Sequence, residues 1–133
     1  MQGEALCAGE PGPVVLVIDD EPHVRLGMKA LLEAMGCRAT LADSSEPAVL
    51  AAKEARPHLV LADCRLQGAD SGIAAVRAIR ALYPDLPALL VTAYTSAERL
   101  REAEQAGIAL LRKPVPVEVL KRVIREAVAA AGG

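Results

Sequence analysis

Tryptophan and phenylalanine are absent from this 133-residue chain, and two tyrosines, Tyr83 and Tyr94, are its only aromatic residues. Hydrophobic residues still make up 53% of it, with alanine the main contributor. Any core is therefore aliphatic and closely packed, without large aromatic anchors. Neither sign of charge dominates: 15 Lys and Arg stand against 17 Asp and Glu, a net charge of -2. That balance argues against nucleic acid or an anionic membrane surface as a direct partner. No apolar run approaches the roughly 20 residues that cross a bilayer. The N-terminus lacks the basic start and long apolar stretch of a signal peptide, so a cytoplasmic location without membrane contact is expected. Cys7, Cys37 and Cys64 are odd in number and have no metal-type spacing. They read as free thiols, with Cys64 a semi-exposed filler beside Asp63.

The length fits one domain with a single core. Residues 1–13, with Gly3, Gly9, Pro11, Gly12 and Pro13, read as a flexible leader or linker. The domain is expected over 14–130, with a frayed tail at 131–133. No solenoid-period repeat interrupts it, and low complexity is confined to the leader.

Short apolar runs alternate with helical patterns. Strands are expected at 14–18, 38–42, 58–62, 87–91 and 108–111. The first, third and fourth are almost wholly apolar, as parallel strands buried on both faces require. Arg38–Ala42 is more polar and suits an edge. Val24, Met28, Leu31, Leu32 and Met35 mark the first helix, which Gly36 stops. Ser44 and Ser45 precede a second, with Pro47 tolerated in its first turn. Ile73, Val76, Ile79 and Leu82 mark a third, ending before Pro84, and Thr95 or Ser96 can cap a fourth. The fourth has a thin apolar face of Leu100, Ala103 and Ala106, while Val117, Leu120, Ile124 and Val128 stripe the fifth. Five such units predict an α/β fold: a flavodoxin-like (βα)5 doubly wound parallel sheet in the order 2-1-3-4-5.

The acidic residues fall at strand ends. Asp19 and Asp20 follow the first strand, and Asp63 follows the third. In a doubly wound sheet, ligands bind beyond the carboxyl ends of the strands at the switch point, here between strands one and three. Three carboxylates brought together repel one another. A hard divalent cation such as Mg2+ relieves that repulsion through oxygen ligands. Asp20 and Asp63 would bind it directly, and Asp19 would hold one of its waters. Thr92 and Lys113, at the ends of strands four and five, would surround a phosphoryl group with a hydroxyl and an ammonium. A free oxygen of Asp63 would be the nucleophile. Taken singly, Asp19 or Asp20 could cap the helix at Glu21-Pro22, Thr92 could be an ordinary cap, and Lys113 a solvated surface lysine. Their joint occurrence is what favours a site. His23 and His58 read as surface or capping residues, Tyr83 as helix-end packing, and the charged run from Glu98 to Glu104 as a solvated helix face.

The set Asp19-Asp20, Asp63, Thr92 and Lys113-Pro114, in this order on a (βα)5 pattern, resembles the receiver domain of two-component signalling proteins. The resemblance covers roughly residues 14–130. It implies that Asp63 is the phosphoacceptor, taking its phosphoryl group from a histidine kinase or a histidine phosphotransfer protein. Asp19, Asp20, Asp63 and the backbone carbonyl of Arg65 would hold Mg2+, and Lys113-Pro114 would be a cis peptide. Tyr94, Leu110 and Ala93 fall at switch or gating positions. Departures from the family pattern also appear. Gln67 stands where proline is common, Gly72 comes one residue late, and Leu110 replaces the usual aromatic. Tyr94 and Arg65 flank the site where they would screen an acyl phosphate from water.

The segment Ala62-Asp63-Cys64-Arg65-Leu66 and the run Leu110 to Val115 look more like receivers at the C-terminal end of hybrid histidine kinases. A hybrid-kinase origin is therefore expected ahead of a stand-alone regulator. No output segment is expected after the fifth helix, so the output would be a protein contact, a phosphoryl relay to another protein's histidine, or feedback on a kinase. A homodimer through the face of helix 4, strand 5 and helix 5 is one such contact. The chain would accept a phosphoryl group rather than turn over substrate. A haloacid-dehalogenase-type phosphatase is the enzyme alternative, but it needs Asp-x-Asp after strand one, where this chain has Asp19-Asp20-Glu21.

Overall fold

The computed structural model describes residues 12–66, 68, 70–93 and 96–132. Strands β1 (Val14–Ile18), β2 (Arg38–Ala42), β3 (Leu59–Asp63), β4 (Ala88–Thr92) and β5 (Ala109–Arg112) alternate with helices α1 (Pro22–Ala34), α2 (Ser45–Glu54), α3 (Gly72–Arg80), α4 (Ala97–Ala106) and α5 (Val117–Gly132). The strands form one parallel sheet in the order β2-β1-β3-β4-β5, as the sequence predicts.

Alternate residues of the same strands bury against opposite helical layers. Leu16, Ile18, Val60 and Leu90 pack with α2, α3 and α4, whereas Val15, Val17, Leu61, Leu89 and Val91 pack with α1 and α5. Burial on both faces is why β1 and β3 read as unbroken apolar runs. The last three strands each lie one residue later than expected. Pro87, expected to open β4, cannot donate to a ladder. At the other end, pairing carries on through Asp63 with Val91 and Thr92 with Arg112. The shift makes Asp63 and Thr92 the last residues of their strands rather than the first residues beyond them.

Helix ends follow local chemistry. Pro22 opens α1, where its missing N–H costs nothing. The Ser71 hydroxyl accepts the Ala74 N–H at 3.1 Å, and that of Ser96 accepts the Arg99 N–H at 3.2 Å. Gly107 closes α4 at φ 70°, a left-handed cap. Helix α3 stops at Arg80, so Leu82, expected on its buried stripe, lies exposed in the following turn. Leu100, expected to bury, is 50% exposed, leaving Ala103 as the buried residue of α4. Val117 is also exposed, and Ala127 joins Leu120 and Ile124 in the core instead. Helix α5 passes the expected boundary at 130 because Ala129 to Ala131 are strong helix formers.

Pro13 is fully buried, and its carbonyl accepts the Arg38 N–H at 2.8 Å. The final residues of the expected leader thus pack against β2, while residues 1–11, Cys7 included, lie outside the described residues. Cys64 is 2% exposed, which corrects the semi-exposed reading: it lies on the sheet face that α3 and α4 cover. His58 takes a capping role, its Nδ1 accepting the Val14 N–H at 3.0 Å. The Tyr83 hydroxyl donates to the Ala52 carbonyl at 3.1 Å, fastening the end of α3 to α2. Among the described residues, no helix is long and apolar enough to cross a membrane.

Candidate functional site

Four strand ends converge at the switch point between β1 and β3. One carboxylate oxygen from each of Asp19, Asp20 and Asp63 lies within 4.8 Å of the others. Lys113, one residue past β5, sets its Nζ 3.1 Å from Asp19 Oδ2 and 3.3 Å from Asp63 Oδ2. A cavity of about 310 Å³ opens above them, lined by Asp20, Asp63, Arg65, Thr92, Ala93 and Lys113. A larger cleft of about 510 Å³ lies between α3 and α4. Charged side chains such as Arg77, Arg99 and Glu102 line it, and it excludes the carboxylates.

The three acids are not equivalent. Asp19 is buried and held from two sides, since Oδ1 accepts the Glu21 N–H at 3.0 Å while Oδ2 meets Lys113. Its backbone is fixed too: its N–H donates to the Ala42 carbonyl at 3.1 Å and its carbonyl accepts Arg25 Nη1 at 2.6 Å. Asp20 is half-buried, and among the described residues its carboxylate has no partner. Burial raises the Asp63 carboxyl above its ordinary value and the neighbouring Asp19 charge adds to this, although Lys113 pulls the other way. The Arg65 N–H donates to the same carboxylate. Burial works to lower the Lys113 ammonium, but its bond to Asp19 and the charges of Asp63 and Asp19 outweigh that and raise it.

The donor set fits a hard divalent cation. It consists of oxygen ligands, one of them without a partner among the described residues, beside a carboxyl that burial and like charge already disfavour in ionised form. The acid at 19, with both oxygens engaged, suits a water-holding place better than a direct one.

Thr92 is buried at the end of β4, and its side chain is hydrogen-bonded to Cys64 on the adjoining strand. The Lys113 N–H donates to the Thr92 carbonyl at 2.8 Å, and the Lys113-Pro114 peptide is cis. Ala93 lines the cavity, but Leu110 does not. It borders a separate groove of about 320 Å³ with Leu100 and Ile108, between α4 and β5. Tyr94 and Gln67 lie outside the described residues.

Sequence reasoning missed the Arg25 contact, the Thr92–Cys64 bond and the role of Gly72. A Cβ at Gly72 would stand 2.0 Å from the Asp63 carbonyl oxygen, so the first turn of α3 needs glycine to approach β3 this closely. Its late placement relative to Asp63 was the available signal.

A family model described as the response regulator receiver domain matches residues 15–125. The transcriptional regulatory protein ZraR of Escherichia coli K12 is 36% identical over 116 residues, covering 86% of this chain and 26% of that protein. The phyllosphere-induced regulator PhyR of Methylorubrum extorquens is 30% identical over 123 residues, covering 90% of this chain and 45% of that protein. The chain thus spans about a quarter to a half of these curated relatives. A response regulator receiver domain protein from Clostridium thermocellum superposes with a TM-score of 0.81 at 27% identity, over 90% of this chain and 97% of that one. The Vibrio cholerae chemotaxis protein CheY4 gives 0.78 at 26% identity, over 87% and 98%.

Proposed function

The chain belongs to the response regulator receiver domain family, and from that membership we propose that it accepts a phosphoryl group on Asp63 from a phosphohistidine of a kinase or phosphotransfer protein. The observation that carries this reading is the placement of Lys113 between Asp19 and Asp63 beside Asp20, whose carboxylate has no partner among the described residues. An oxygen of Asp63 attacks phosphorus as the P–N bond to the imidazole breaks, and the departing imidazole nitrogen takes a proton from water. Bound Mg2+ supplies charge neutralisation for the transferring oxygens. Asp20, Asp63 and the Arg65 carbonyl would hold it, with Asp19 on a water. Lys113 pairs with the phosphoryl group while anchored through Asp19. Thr92 donates its hydroxyl to the same group after leaving Cys64.

The added charge, about -1.5 to -2, arrives at strand ends next to α4, which buries little apolar surface. That helix is the moving part. Half-exposed Leu100, beside partly buried Leu110 over the groove between α4 and β5, gives the α4–β5 side of the α4–β5–α5 face apolar surface suited to a second copy of the chain. The motif variants around Asp63 favour a hybrid-kinase setting, whereas the relatives named above carry the matching segment in regulators. The phosphoacceptor chemistry is the same in both, and the near-neutral charge supports proteins as the partners.

Intact mass after incubation with acetyl phosphate and Mg2+ tests the assignment. Wild type is expected to gain one phosphoryl group and Asp63→Asn none. An adduct that persists in the variant would remove Asp63 from the role.

A further inference from the structure

Asp70 ends the β3–α3 loop and reaches across to a different helix. Its Oδ2 accepts the Ser45 N–H at 2.7 Å, and its Oδ1 accepts both the Ser45 hydroxyl and the Ser71 N–H, the latter at 2.9 Å. Helix α2 has no side-chain cap from its own N-cap residue Ser44, whose hydroxyl donates to Asp43 Oδ1 at 2.8 Å. The Asp70 carboxylate therefore supplies that cap from outside the helix, at its positive end. Burial works to raise the Asp70 carboxyl, but the bonds from Ser45 and Ser71 outweigh it and hold the group below its ordinary value.

The same stretch of chain touches the end of β3. The Gly72 N–H donates to the Cys64 carbonyl at 3.1 Å, and Arg65 and Ser71 form an isolated antiparallel bridge. Gly72 also abuts the Asp63 carbonyl, as its barred Cβ position shows. Asp70 thus fastens to α2 the segment that packs on the backbone of both Asp63 and Arg65.

We infer that the Asp70–Ser45 clasp is a positioning device for the acidic pocket: it holds the return of the β3–α3 loop against α2 and thereby sets Mg2+ affinity at Asp63 and Arg65 without touching the cation. The inference rests on the phosphoacceptor reading above. Groups that orient ligands from outside the coordination sphere commonly govern metal affinity, and small displacements of a reacting group slow its chemistry. A plain helix cap, in contrast, would affect stability alone.

The full chain separates the two roles. Mg2+ is titrated calorimetrically into wild type, Asp70→Ala, Ser45→Ala and Leu50→Gly, and phosphorylation by acetyl phosphate is followed at low and saturating Mg2+. Leu50 is an exposed residue of α2 outside the clasp, so its glycine variant weakens the helix alone. Asp70→Ala is expected to weaken Mg2+ binding about tenfold, the low end for groups outside the coordination sphere, and Ser45→Ala less. Phosphorylation should slow at low Mg2+ and recover at saturation. Leu50→Gly should lower Tm with Mg2+ affinity unchanged. Unchanged affinity in Asp70→Ala overturns the proposal, as does an equal loss in Leu50→Gly. A wild type that binds no Mg2+ and takes no phosphoryl group overturns the phosphoacceptor reading, and this proposal with it.

Discussion

The Lys113 ammonium lies 3.1 Å from Asp19 Oδ2, nearer than to Asp63 Oδ2 at 3.3 Å, and Asp19 is the more deeply buried of the two acids. The lysine is thus held by two carboxylates, with the more buried Asp19 at the shorter distance. Lys113→Ala should leave Asp19 buried without its cation. Breaking a fully buried pair costs about 3–5 kcal/mol. Lys113 is a quarter exposed, which places the expected loss nearer ~2 kcal/mol. Urea unfolding without Mg2+ should show that loss, and Mg2+ should restore more stability to the variant than it adds to wild type. Equal Mg2+ increments in the two proteins would argue against a shared electrostatic site.

Asp63 gives a prediction of opposite sign. Its carboxyl is raised above its ordinary value of 3.8, first by burial and then by Asp19, against the pull of Lys113. The folded state therefore binds this proton more tightly than the unfolded state does. As pH rises from about the ordinary carboxylate value through the raised one, the folded state loses stability, and the penalty is complete above it. Asp63→Asn removes the penalty. Its Tm should exceed that of wild type by a few degrees at neutral pH without Mg2+, with the gap closing toward pH 4. Thermal scans across that range check it; a gap that widens on acidification would rule out burial and the Asp19 charge as the source of the shift.

The placement of Asp19, Asp20, Asp63, Thr92 and Lys113 was legible because parallel-strand order follows from five apolar runs alternating with helical stripes, and strand ends in that order meet at one point. Strand boundaries were legible only to within a residue, since pairing carries on through the polar residues Asp63 and Thr92, which read as lying beyond the apolar runs. What escaped was contact between distant side chains. Nothing in the spacing of Asp70 and Ser45, or of Arg25 and Asp19, shows that loops and helix starts meet there. Leu100 and Leu82 misled because helical period marks a face, whereas burial depends on what covers it.

Thr92 and Cys64 are both buried and joined by a side-chain hydrogen bond. If the Thr92 hydroxyl is the donor in that bond, its one proton must leave Cys64 to serve a phosphoryl group on Asp63. A net hydrogen bond is worth about 0.5–1.5 kcal/mol, and thiol partners are weak. Cys64→Ala should therefore speed phosphorylation of Asp63 about two- to fivefold at fixed acetyl phosphate, despite the small cavity it leaves. Cys64→Ser keeps a partner for Thr92 and should not speed it. Stopped-flow rates for the two variants decide the matter, and equal rates in both would detach Cys64 from the control of Thr92.

Two glycines should respond to alanine in opposite directions. A Cβ at Gly72 would meet the Asp63 carbonyl oxygen at 2.0 Å and Leu90 Cδ2 at 3.0 Å, and the closer of these is backbone that cannot step aside cheaply. Gly72→Ala should cost about 1–3 kcal/mol or more by overpacking, and the displaced β3 end should slow phosphorylation even at temperatures where the variant is fully folded. Gly27 stands in the exposed middle of α1 with nothing within 4 Å of an added Cβ. There the helix gains from reduced backbone freedom in the unfolded chain, so Gly27→Ala should stabilise by about 0.5–1 kcal/mol. Chemical denaturation paired with acetyl phosphate labelling measures both. If Gly72→Ala lost stability but phosphorylated at the wild-type rate, the close approach of α3 to β3 would be a packing feature with no hold on the phosphoacceptor.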